Sequence, residues 1–433
     1  MYREKIKELA AWKLKPNRKP LILNGARQVG KSWLVQKFGE EFFEKKVITI
    51  NFEKRRDLHI IFKTNFDVNR ILFELEFALG LKIDVGNDLL FFDEIQACSE
   101  ALGSLRYFYE DKQALHLIAA GSLLDFEFRN QPFPVGRVDV MNLHPMTFYE
   151  FLLARKKETI AHVLNEKPSV LPEIASTILN EEINNYFIVG GMPECVQHFI
   201  ENQDFLGVQE IQNNLLYSYE QDFKKYKPMV DGDALNDILE KSALLISNQI
   251  IYTHLSDRFS SPTIKKGVEV LRTARLLNSV QNISIAGLPL TPSGKQFKLY
   301  HLDIGLLLRK SNLSFQDVYL KKNLTAAFNG MLAEQFVAQQ IIASQKEVLN
   351  YWARTSPGSS AEVDFVIVRD GKIIPIEVKS GKNGSLKSLH YLLEHNLHID
   401  SAIIFSNAPL GVQGKLNFIP IYWAGRLRFP LNE

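Results

Sequence analysis

The chain has 433 residues, enough for roughly two to four domains with substantial cores. A hydrophobic content of 46% and a charged content of 23% exclude a disordered chain, and a formal net charge of +2 selects no partner by itself. No apolar run approaches the roughly 18 residues of a membrane span, so we expect no membrane partner. The two cysteines, Cys98 and Cys195, are far apart and have no metal-binding neighbours, which indicates reduced thiols in a cytoplasmic protein.

The first predicted elements are a short helix over residues 3 to 13 and a strand at Leu21-Ile22-Leu23, an apolar run typical of a buried parallel strand. The strand leads into Gly25–Ser32, which has the spacing G-x-x-x-x-G-K-[ST] of the P-loop, and a helix follows. Glycines let backbone N–H groups face phosphate oxygens, the lysine reaches the β- and γ-phosphates, and the serine hydroxyl binds magnesium. The pattern favours a nucleotide site over a simple glycine turn. The predicted nucleotide contacts are Gly25, Ala26, Arg27, Gln28, Val29, Gly30, Lys31, Ser32 and Trp33.

Two acids follow a second strongly apolar run. Strands are predicted at Val47–Phe52 and at Leu89–Phe92, and the second leads into Asp93 and Glu94. In P-loop enzymes a carboxylate at the end of such a strand holds the magnesium of the nucleotide, which is the role predicted for Asp93. Glu94 is placed to polarise the attacking water as a general base. Alone, the two acids would equally suit a polar loop, but after a P-loop they favour a nucleotide site.

Three further residues are candidates for contact with the γ-phosphate. Ser122 follows a strand at His116–Ala120 and is predicted to lie between the P-loop strand and the strand that ends in the two acids, as a sensor. Arg137 precedes another apolar strand and is a candidate to stabilise charge on the γ-phosphate, in its own subunit or in a neighbour's. Arg106, on the preceding helix, competes for that role. A plain turn residue and a solvated arginine are the simpler alternatives.

Five motifs in series resemble a family of predicted prokaryotic AAA+-type ATPases. They are Gly-Ala-Arg-Gln-Val-Gly-Lys-Ser (25–32), Phe-Phe-Asp-Glu-Ile-Gln (91–96), Ala-Gly-Ser (120–122), Gly-Arg-Val (136–138) and Leu-His-Pro-Met-Thr-Phe-Tyr-Glu-Phe (143–151). The Arg27-Gln28 pair is characteristic of that family, whose C-terminal half is a domain of unknown function. The resemblance covers essentially the whole chain and implies ATP and Mg2+ as cofactors. Because such ATPases often complete the site with a neighbour's arginine, it leaves a homo-oligomer open.

The centre of the chain is predicted to form a helical lid over residues 151–228 and a winged helix-turn-helix over residues 229–310. The lid is interrupted at Gly190-Gly191, before Pro193, and we interpret this break as a structural joint because no Lys-Ser pair follows. The order of three helices and a hairpin is typical of a winged helix. The predicted helices are Asp233–Ser247, Leu255–Phe259 and Ile264–Leu276, and the hairpin runs from Leu277 to Tyr300.

This predicted winged helix is locally basic. Between Arg258 and Lys310 there are nine Lys and Arg residues against two acids, and nine minus two gives +7. Contact with a DNA phosphate backbone is therefore one hypothesis, and a protein-docking module with solvated lysines is the alternative. The predicted DNA contacts lie on the third helix and are Lys265, Lys266, Arg272 and Arg275.

The last predicted domain carries acids and a lysine on a strand hairpin. Glu377 and Lys379 lie two apart on one strand and so point to the same face, and Asp364 is on the partner strand. Such a cluster suits a magnesium ion that activates water beside an ammonium group. It resembles the PD-(D/E)xK nuclease superfamily, although Val363 stands at the proline position. The resemblance implies metal ligands at Asp364 and Glu377, with Glu334 as the helix acid of that site and Lys379 as the catalytic lysine. Surface ion pairs are the alternative.

The sequence thus predicts an α/β chain with four parts. A P-loop, AAA+-like parallel-sheet domain (1–150) is followed by the lid, the winged helix and a restriction-endonuclease-like α/β domain (311–433). We expect an ATP-hydrolysing enzyme that acts on or with DNA, with nuclease activity left open. The alternative is a slow ATP-dependent switch that uses an inactive nuclease-like domain and the winged helix for protein contacts. An accessory protein of transposition or defence is a third option that the sequence does not separate from these.

Overall fold

The computed structural model describes residues 1–44, 47–122, 136–226, 229–311, 330–344, 347–356, 359–379 and 386–426. Within these residues the chain forms two compact units. The N-terminal unit comprises Tyr2–His144 and Thr273–Arg275, and the C-terminal unit comprises Pro145–Arg272 and Leu276–Glu433. The boundaries predicted at residues 228 and 310 lie inside the C-terminal unit. None of the described helices is long and apolar enough to cross a bilayer.

The N-terminal unit is built on a sheet whose described strands are all parallel. They are β1 (Leu21–Asn24), β2 (Val47–Asn51), β3 (Leu89–Asp93), β4 (His116–Gly121) and β5 (Asp139–Asn142), in the order β2-β3-β4-β1-β5. Every residue of β1, β3 and β4 is buried, as their continuous apolar runs require of a parallel strand covered on both faces. Because β4 lies between β1 and β3, the carboxyl ends of these three strands meet at one edge of the sheet.

Helices cover both faces of this sheet. One face packs on α3 (His59–Thr64), α4 (Val68–Leu79) and α5 (Ser99–Asp111), and the other contacts α2 (Lys31–Phe42), which packs on α1 (Lys5–Leu14). Local signals set the ends of these helices. The Asp67 side chain caps α4 by accepting from the backbone N–H groups of Asn69 and Arg70, and Gly80 ends it with a left-handed φ of 64°.

The C-terminal unit begins with helices that pack around a buried aspartate. The helix Glu173–Val189 is followed by Gly190, and the next backbone N–H, that of Gly191, donates to Asp303 Oδ2 at 2.6 Å. A Cβ at Gly190 would lie 2.1 Å from Asp303 Oδ1, so only glycine fits this predicted joint. The described helices are α6 (Phe148–Ala154), α7 (Glu158–Val163), α8 (Glu173–Val189), α9 (Pro193–Asn202), α10 (Phe205–Phe223), α11 (Gly232–Leu244), α12 (Ser261–Thr273), α13 (Ile304–Lys310), α14 (Met331–Ser344) and α15 (Lys387–His395).

One element of the predicted winged helix differs in the structure. The short helix expected at Leu255–Phe259 is instead a single 3-10 turn at Tyr252–Leu255. The chain leaves this turn through Ser256 in an extended conformation, and the Ser256 hydroxyl donates to Asp237 Oδ2 at 2.7 Å. The same hydroxyl accepts from the Arg258 N–H at 3.1 Å, a local bond of the kind that competes with continuation of a helix.

A mixed sheet forms the rest of the C-terminal unit. Its described strands are β6 (Leu277–Ser284), β7 (Thr291–His301), β8 (Asn350–Ser356), β9 (Ser359–Arg369), β10 (Lys372–Lys379), β11 (Ala402–Ser406), β12 (Gly411–Gln413) and β13 (Leu416–Pro420), in the order β12-β13-β11-β10-β9-β8-β6-β7. The predicted β9–β10 hairpin turns at Asp370 and Gly371, which have positive φ values of 50° and 73°. The β6–β7 hairpin joins the same sheet, because Gln281 pairs with Asn350. The predicted wing is therefore an edge of this sheet.

Candidate functional sites

The P-loop joins β1 to α2 through torsions and contacts that favour glycine. Gly30, the N-cap of α2, has a φ of 91°, and Gln28 has a φ of 63°. At Gly25 a Cβ would lie 2.5 Å from the carbonyl oxygen of Leu143. A loop of this kind at the N-terminus of a helix forms a concave set of N–H groups, and the helix dipole adds to its attraction for an anion.

Lys31 lies inside this loop. Its Nζ donates to the carbonyl oxygens of Gly25 (3.0 Å) and Ala26 (2.8 Å), and the residue is only 8% exposed. Burial lowers the pKa of Lys31 to about 8, although the carboxylates of Glu94 and Asp93 oppose that shift. The ammonium is therefore held where phosphate oxygens can replace the two loop carbonyls as its partners.

Asp93 lies beside the P-loop at the end of β3. Its Oδ1 accepts from Ser32 Oγ at 3.0 Å, and its Oδ2 accepts from Asn51 Nδ2 at 3.1 Å. Burial raises the pKa of Asp93, and the bonds from Ser32 and Asn51 oppose that shift. A hydroxyl and a carboxylate in contact are hard oxygen donors of the kind that Mg2+ prefers, so Ser32 and Asp93 fit the predicted magnesium of a nucleotide. The sequence analysis assigned no role to Asn51.

Glu94 follows in a left-handed conformation, with φ 48° and ψ 45°. Such torsions are strained for residues other than glycine and cluster at functional sites. The Gln96 side chain donates a short hydrogen bond to Glu94 Oε2, and Gln96 Oε1 is buried without a hydrogen-bond partner among the described residues. Ser122 is buried directly after β4, between the ends of β1 and β3. The structure thus gathers Lys31, Ser32, Asp93, Glu94 and Ser122 at the carboxyl edge of the sheet.

Arg3 supports the P-loop and was missed by the sequence analysis. It is 3% exposed, its Nη1 donates to the carbonyl oxygen of Val29 at 2.9 Å, and its Nη2 donates to that of His144. The only sequence signal was an arginine before an amphipathic helix, which does not reveal a partner 26 residues away. Arg3 therefore helps to position the P-loop.

Neither arginine candidate reaches the P-loop edge in this structure. Arg137 Nε donates to Glu110 Oε1 at 2.9 Å, and Arg106 Nε bonds the same oxygen at 3.1 Å. Asp139, two residues after Arg137, pairs with Leu21 at the start of β1. Arg137 therefore lies at the amino ends of the strands, opposite to the P-loop. This position corrects the expectation that Arg137 serves the site of its own subunit, because β1 separates the two edges.

A buried cluster of charges lies in the C-terminal unit at the predicted nuclease site. Lys298 of β7 is fully buried, and its Nζ lies 2.9 Å from Glu334 Oε1, 2.5 Å from Glu362 Oε1 and 4.0 Å from Asp364 Oδ1. The Tyr351 ring lies 5.3 Å from the same Nζ. The sequence analysis had assigned no site role to Lys298 or Glu362. The structure makes Lys298 the centre of this cluster.

Glu377 and Lys379 form the other side of the cluster. Lys379 Nζ donates to Glu377 Oε1 at 2.5 Å. Asp364 Oδ2 accepts from the Val378 N–H at 2.8 Å, which connects β9 to β10. Glu377 Oε2 is buried and has no hydrogen-bond partner among the described residues. The acids and the lysine predicted from the hairpin therefore do converge, together with Lys298.

The burial of these groups shifts their protonation. Burial raises the pKa of Glu377 to about 8 and that of Glu334 to about 7, and it also raises the pKa of Asp364. Although burial opposes the charge of Lys298, the carboxylates of Glu334, Asp364 and Glu362 together raise the pKa of this lysine. The surrounding carboxylates therefore keep the Lys298 ammonium charged despite its burial.

The predicted nuclease magnesium does not fit this arrangement. Among the described residues, no group of three or more His, Cys, Asp and Glu side chains is arranged to hold a metal ion. A metal shared by Glu334 and Asp364 would take the place of the Lys298 ammonium, which already contacts both. The third predicted ligand, Glu377, is paired with Lys379. In this structure Asp364, Glu377 and Glu334 lie in ion pairs within a charge cluster, and their metal roles stay a prediction.

Three of the nine basic residues counted between Arg258 and Lys310 pair with acids from outside that segment, and they are Arg258, Lys298 and Lys310. Arg258 bonds Asp237 at 3.1 Å, and Lys310 bonds Glu220 at 3.0 Å and Glu240 at 3.2 Å. The local excess of +7 is therefore compensated in part by other elements of the C-terminal unit.

The four predicted DNA contacts differ in their surroundings. Lys265 and Lys266 are exposed on α12 and make no ion pair with any described residue. Arg272 is ion-paired with Glu269 at 2.8 Å. Arg275 is half-buried and groups with the N-terminal unit. The structure therefore leaves the two lysines as the exposed, unpaired part of the predicted DNA surface.

The comparison with family models covers three parts of the chain. Residues 17–152 match the AAA domain. This range contains the P-loop, the two acids after β3 and Ser122, so the N-terminal unit has the P-loop fold of an AAA-type ATPase domain. Residues 180–317 and 329–423 match two domains of unknown function, DUF8612 and DUF4143. A comparison with curated proteins found no match.

Several solved structures are similar to this chain at low identity. The Walker-type ATPase PABY2304 of Pyrococcus abyssi is 17% identical, with a TM-score of 0.46, over 71% of this chain and 95% of that one. Aeropyrum pernix Orc1 in complex with DNA is 12% identical, with a TM-score of 0.27, over 72% and 93%. The Thermotoga maritima RuvB branch migration motor is 14% identical, with a TM-score of 0.30, over 68% and 93%. The strand order and the AAA domain match therefore carry the assignment of the fold.

Proposed function

We propose that this protein binds and hydrolyses ATP as an AAA+-type ATPase that acts on or with DNA. The observation that carries the ATPase proposal is the 3.0 Å hydrogen bond between Ser32 and Asp93, next to the buried Lys31. A hydroxyl, a carboxylate and an ammonium at the mouth of a P-loop are the groups that hold Mg-ATP in P-loop enzymes. The match of residues 17–152 to the AAA domain includes all three residues.

Each residue of the site has a separate role in the proposed hydrolysis. Bound Mg2+ would neutralise charge on the β- and γ-phosphates, and Ser32 and Asp93 are the residues that would hold it. Lys31 exchanges the two loop carbonyls for phosphate oxygens. Glu94 takes the proton of the attacking water, since its carboxylate follows Asp93 directly and is oriented by a short hydrogen bond. The Ser122 hydroxyl contacts the γ-phosphate or that water from the end of β4.

A slow ATP-dependent switch is the second candidate function. One observation favours it: the acids of the predicted nuclease site are paired with Lys298 and Lys379, so no cleavage step is assigned to them. In this candidate the C-terminal unit makes protein contacts, and ATP turnover is indifferent to DNA.

DNA contact is proposed for Lys265 and Lys266, because both are exposed on one turn of α12 without ion pairs to described residues. We expect Lys265→Glu with Lys266→Glu to weaken DNA binding at low salt and to reduce its salt dependence, since two phosphate contacts are lost. Fluorescence anisotropy with labelled duplex DNA measures both effects, and ATP turnover with and without DNA measures the coupling.

A matched control for this experiment is the pair Lys167→Glu and Lys372→Glu, which makes the same change of charge at two other exposed lysines of the C-terminal unit. Equal DNA affinity for wild type and both double variants would remove the DNA surface from the proposal. Turnover that DNA does not stimulate would favour the switch.

A homo-oligomer in the cytoplasm completes the proposal, with Arg137 offered to a neighbour's site. We expect Arg137→Ala to leave ATP turnover of the dilute, monomeric protein within about two-fold of wild type, because Arg137 is paired at the far edge of the sheet. Turnover should fall only at protein concentrations at which the wild type assembles. A loss of turnover that is the same at every concentration would contradict this position of Arg137.

A further inference from the structure

We propose that the Lys298 ammonium is a built-in cation of the C-terminal acidic cluster and that it excludes divalent metal ions from it. The cluster is defined as Lys298, Glu334, Glu362, Asp364, Glu377 and Lys379. The inference does not depend on the proposed ATPase function, since all six residues lie in the C-terminal unit.

The buried position of Lys298 is the first observation that supports the proposal. It projects from β7 with no exposed surface, and three carboxylates on α14 and β9 surround its Nζ. A divalent ion bound by the same carboxylates would lie within a few ångströms of this ammonium. Two cations at such a short distance in a buried site repel each other strongly, because water does not screen their charges.

The hydrogen bonds that the acids accept are the second observation that supports the proposal. Glu334 Oε1 accepts from Lys298 Nζ at 2.9 Å and also from the Tyr300 hydroxyl. Glu362 Oε1 contacts Lys298, and its Oε2 accepts from Gln249 Nε2 at 2.6 Å. These three oxygens each direct a lone pair at a donor within the protein, and Glu377 Oε2 is the buried acceptor of the cluster with no hydrogen-bond partner among the described residues.

The alternation of side chains along β7 is the third observation that supports the proposal. Lys298 and Tyr300 lie two residues apart, so both side chains point to the same face of the strand. Both bond the same oxygen of Glu334 on α14, and Lys298 also bonds Glu362 on β9. The cluster therefore joins the β6–β7 hairpin to the helix and the strand that carry the acids. Its role is to hold these elements together rather than to cleave a phosphodiester.

Binding of Mn2+ to the full-length chain, followed by electron paramagnetic resonance of the free ion without nucleotide, tests the proposal. We expect wild type and Asp364→Asn to bind the same number of ions, because the cluster contributes no site. Lys298→Gln should gain one ion per chain, and the added change Asp364→Asn should remove it. Lys298→Arg keeps the positive charge and should gain none.

A wild-type chain that loses an ion upon Asp364→Asn or Glu334→Gln would overturn the proposal, as would a folded Lys298→Gln variant that gains none. If Lys298→Gln does not fold, as judged by circular dichroism, the comparison of wild type with Asp364→Asn and Glu334→Gln decides alone. A nick in supercoiled DNA that requires Mg2+ and disappears in Asp364→Asn would also contradict an excluded metal.

Discussion

Glu94→Gln is expected to lower the rate of ATP hydrolysis by about 10²–10⁴-fold while ATP binding stays close to that of wild type. The amide keeps the size and the left-handed backbone position of Glu94 but has no basic oxygen to take the proton of water. The residues that contact the phosphates and the ion, Lys31, Ser32 and Asp93, are unchanged. Steady-state turnover and equilibrium titration with ATP measure the two effects separately.

The matched control is Glu110→Gln, which makes the same change at the opposite edge of the sheet, where Glu110 pairs with Arg106 and Arg137. Its turnover should remain within about two-fold of wild type, since changes at surface ion pairs have small effects. If the two variants turned over ATP equally fast, Glu94 would not be the base.

Lys298→Met is expected to lower the free energy of unfolding of the C-terminal unit by about 3–5 kcal/mol. Methionine fills a similar volume but leaves the largely buried carboxyl groups of Glu334 and Asp364, and the partly exposed one of Glu362, without the Lys298 cation. Removal of one partner from a buried ion pair is costly because the remaining charges have neither water nor a counterion. Urea denaturation of the full-length chain measures the loss as a shift of the transition midpoint.

Lys295→Met is the control on the same strand, because Lys295 is an exposed residue of β7 without an ion pair to any described residue. It should change the unfolding free energy by no more than about 0.5 kcal/mol. Equal stability of the two variants would show that the Lys298 ammonium contributes nothing to the cluster.

The placement of the candidate residues at the P-loop edge could be predicted from the sequence because their signals are local. The P-loop spacing from Gly25 to Ser32 and the acids after an apolar strand each lie within about ten residues, and a parallel sheet brings the carboxyl ends of its strands to one edge. Because β4 lies between β1 and β3, Ser122 at the end of β4 lies between the P-loop and the two acids. Arg3 could not be predicted, since its partner is the carbonyl group of Val29 and any residue type can supply that group.

The C-terminal cluster could be predicted only in part. The hairpin alternation brought Asp364, Glu377 and Lys379 together, but Lys298 lies 36 residues before Glu334 and was counted with a different predicted domain. Lys298 lies on the β6–β7 hairpin, and only the pairing of β6 with β8 shows that this hairpin belongs to the sheet that carries the acids. The local net charge of +7 was misleading for the same reason. It counts Lys298 as a basic residue of the predicted DNA-binding segment but does not show which acids surround this lysine.

Arg137 shows a further limit of motif reasoning. A Gly-Arg-Val motif after a P-loop suggests an arginine near the γ-phosphate, but the motif does not show that the strand after it pairs in parallel with β1. Here it precedes β5, so it lies at the amino edge and pairs with Glu110.

Isothermal titration calorimetry of Mg-ATP into the full-length chain tests the central claim most directly. Saturable binding by wild type and by Lys37→Ala is expected, because Lys37 is a half-buried lysine of α2 that pairs with Glu40. Much weaker binding is expected for Lys31→Ala, because Lys31 lies inside the P-loop. Folded wild-type protein that takes up no Mg-ATP, or that binds it no better than Lys31→Ala does, would contradict the claim that this loop holds a nucleoside triphosphate.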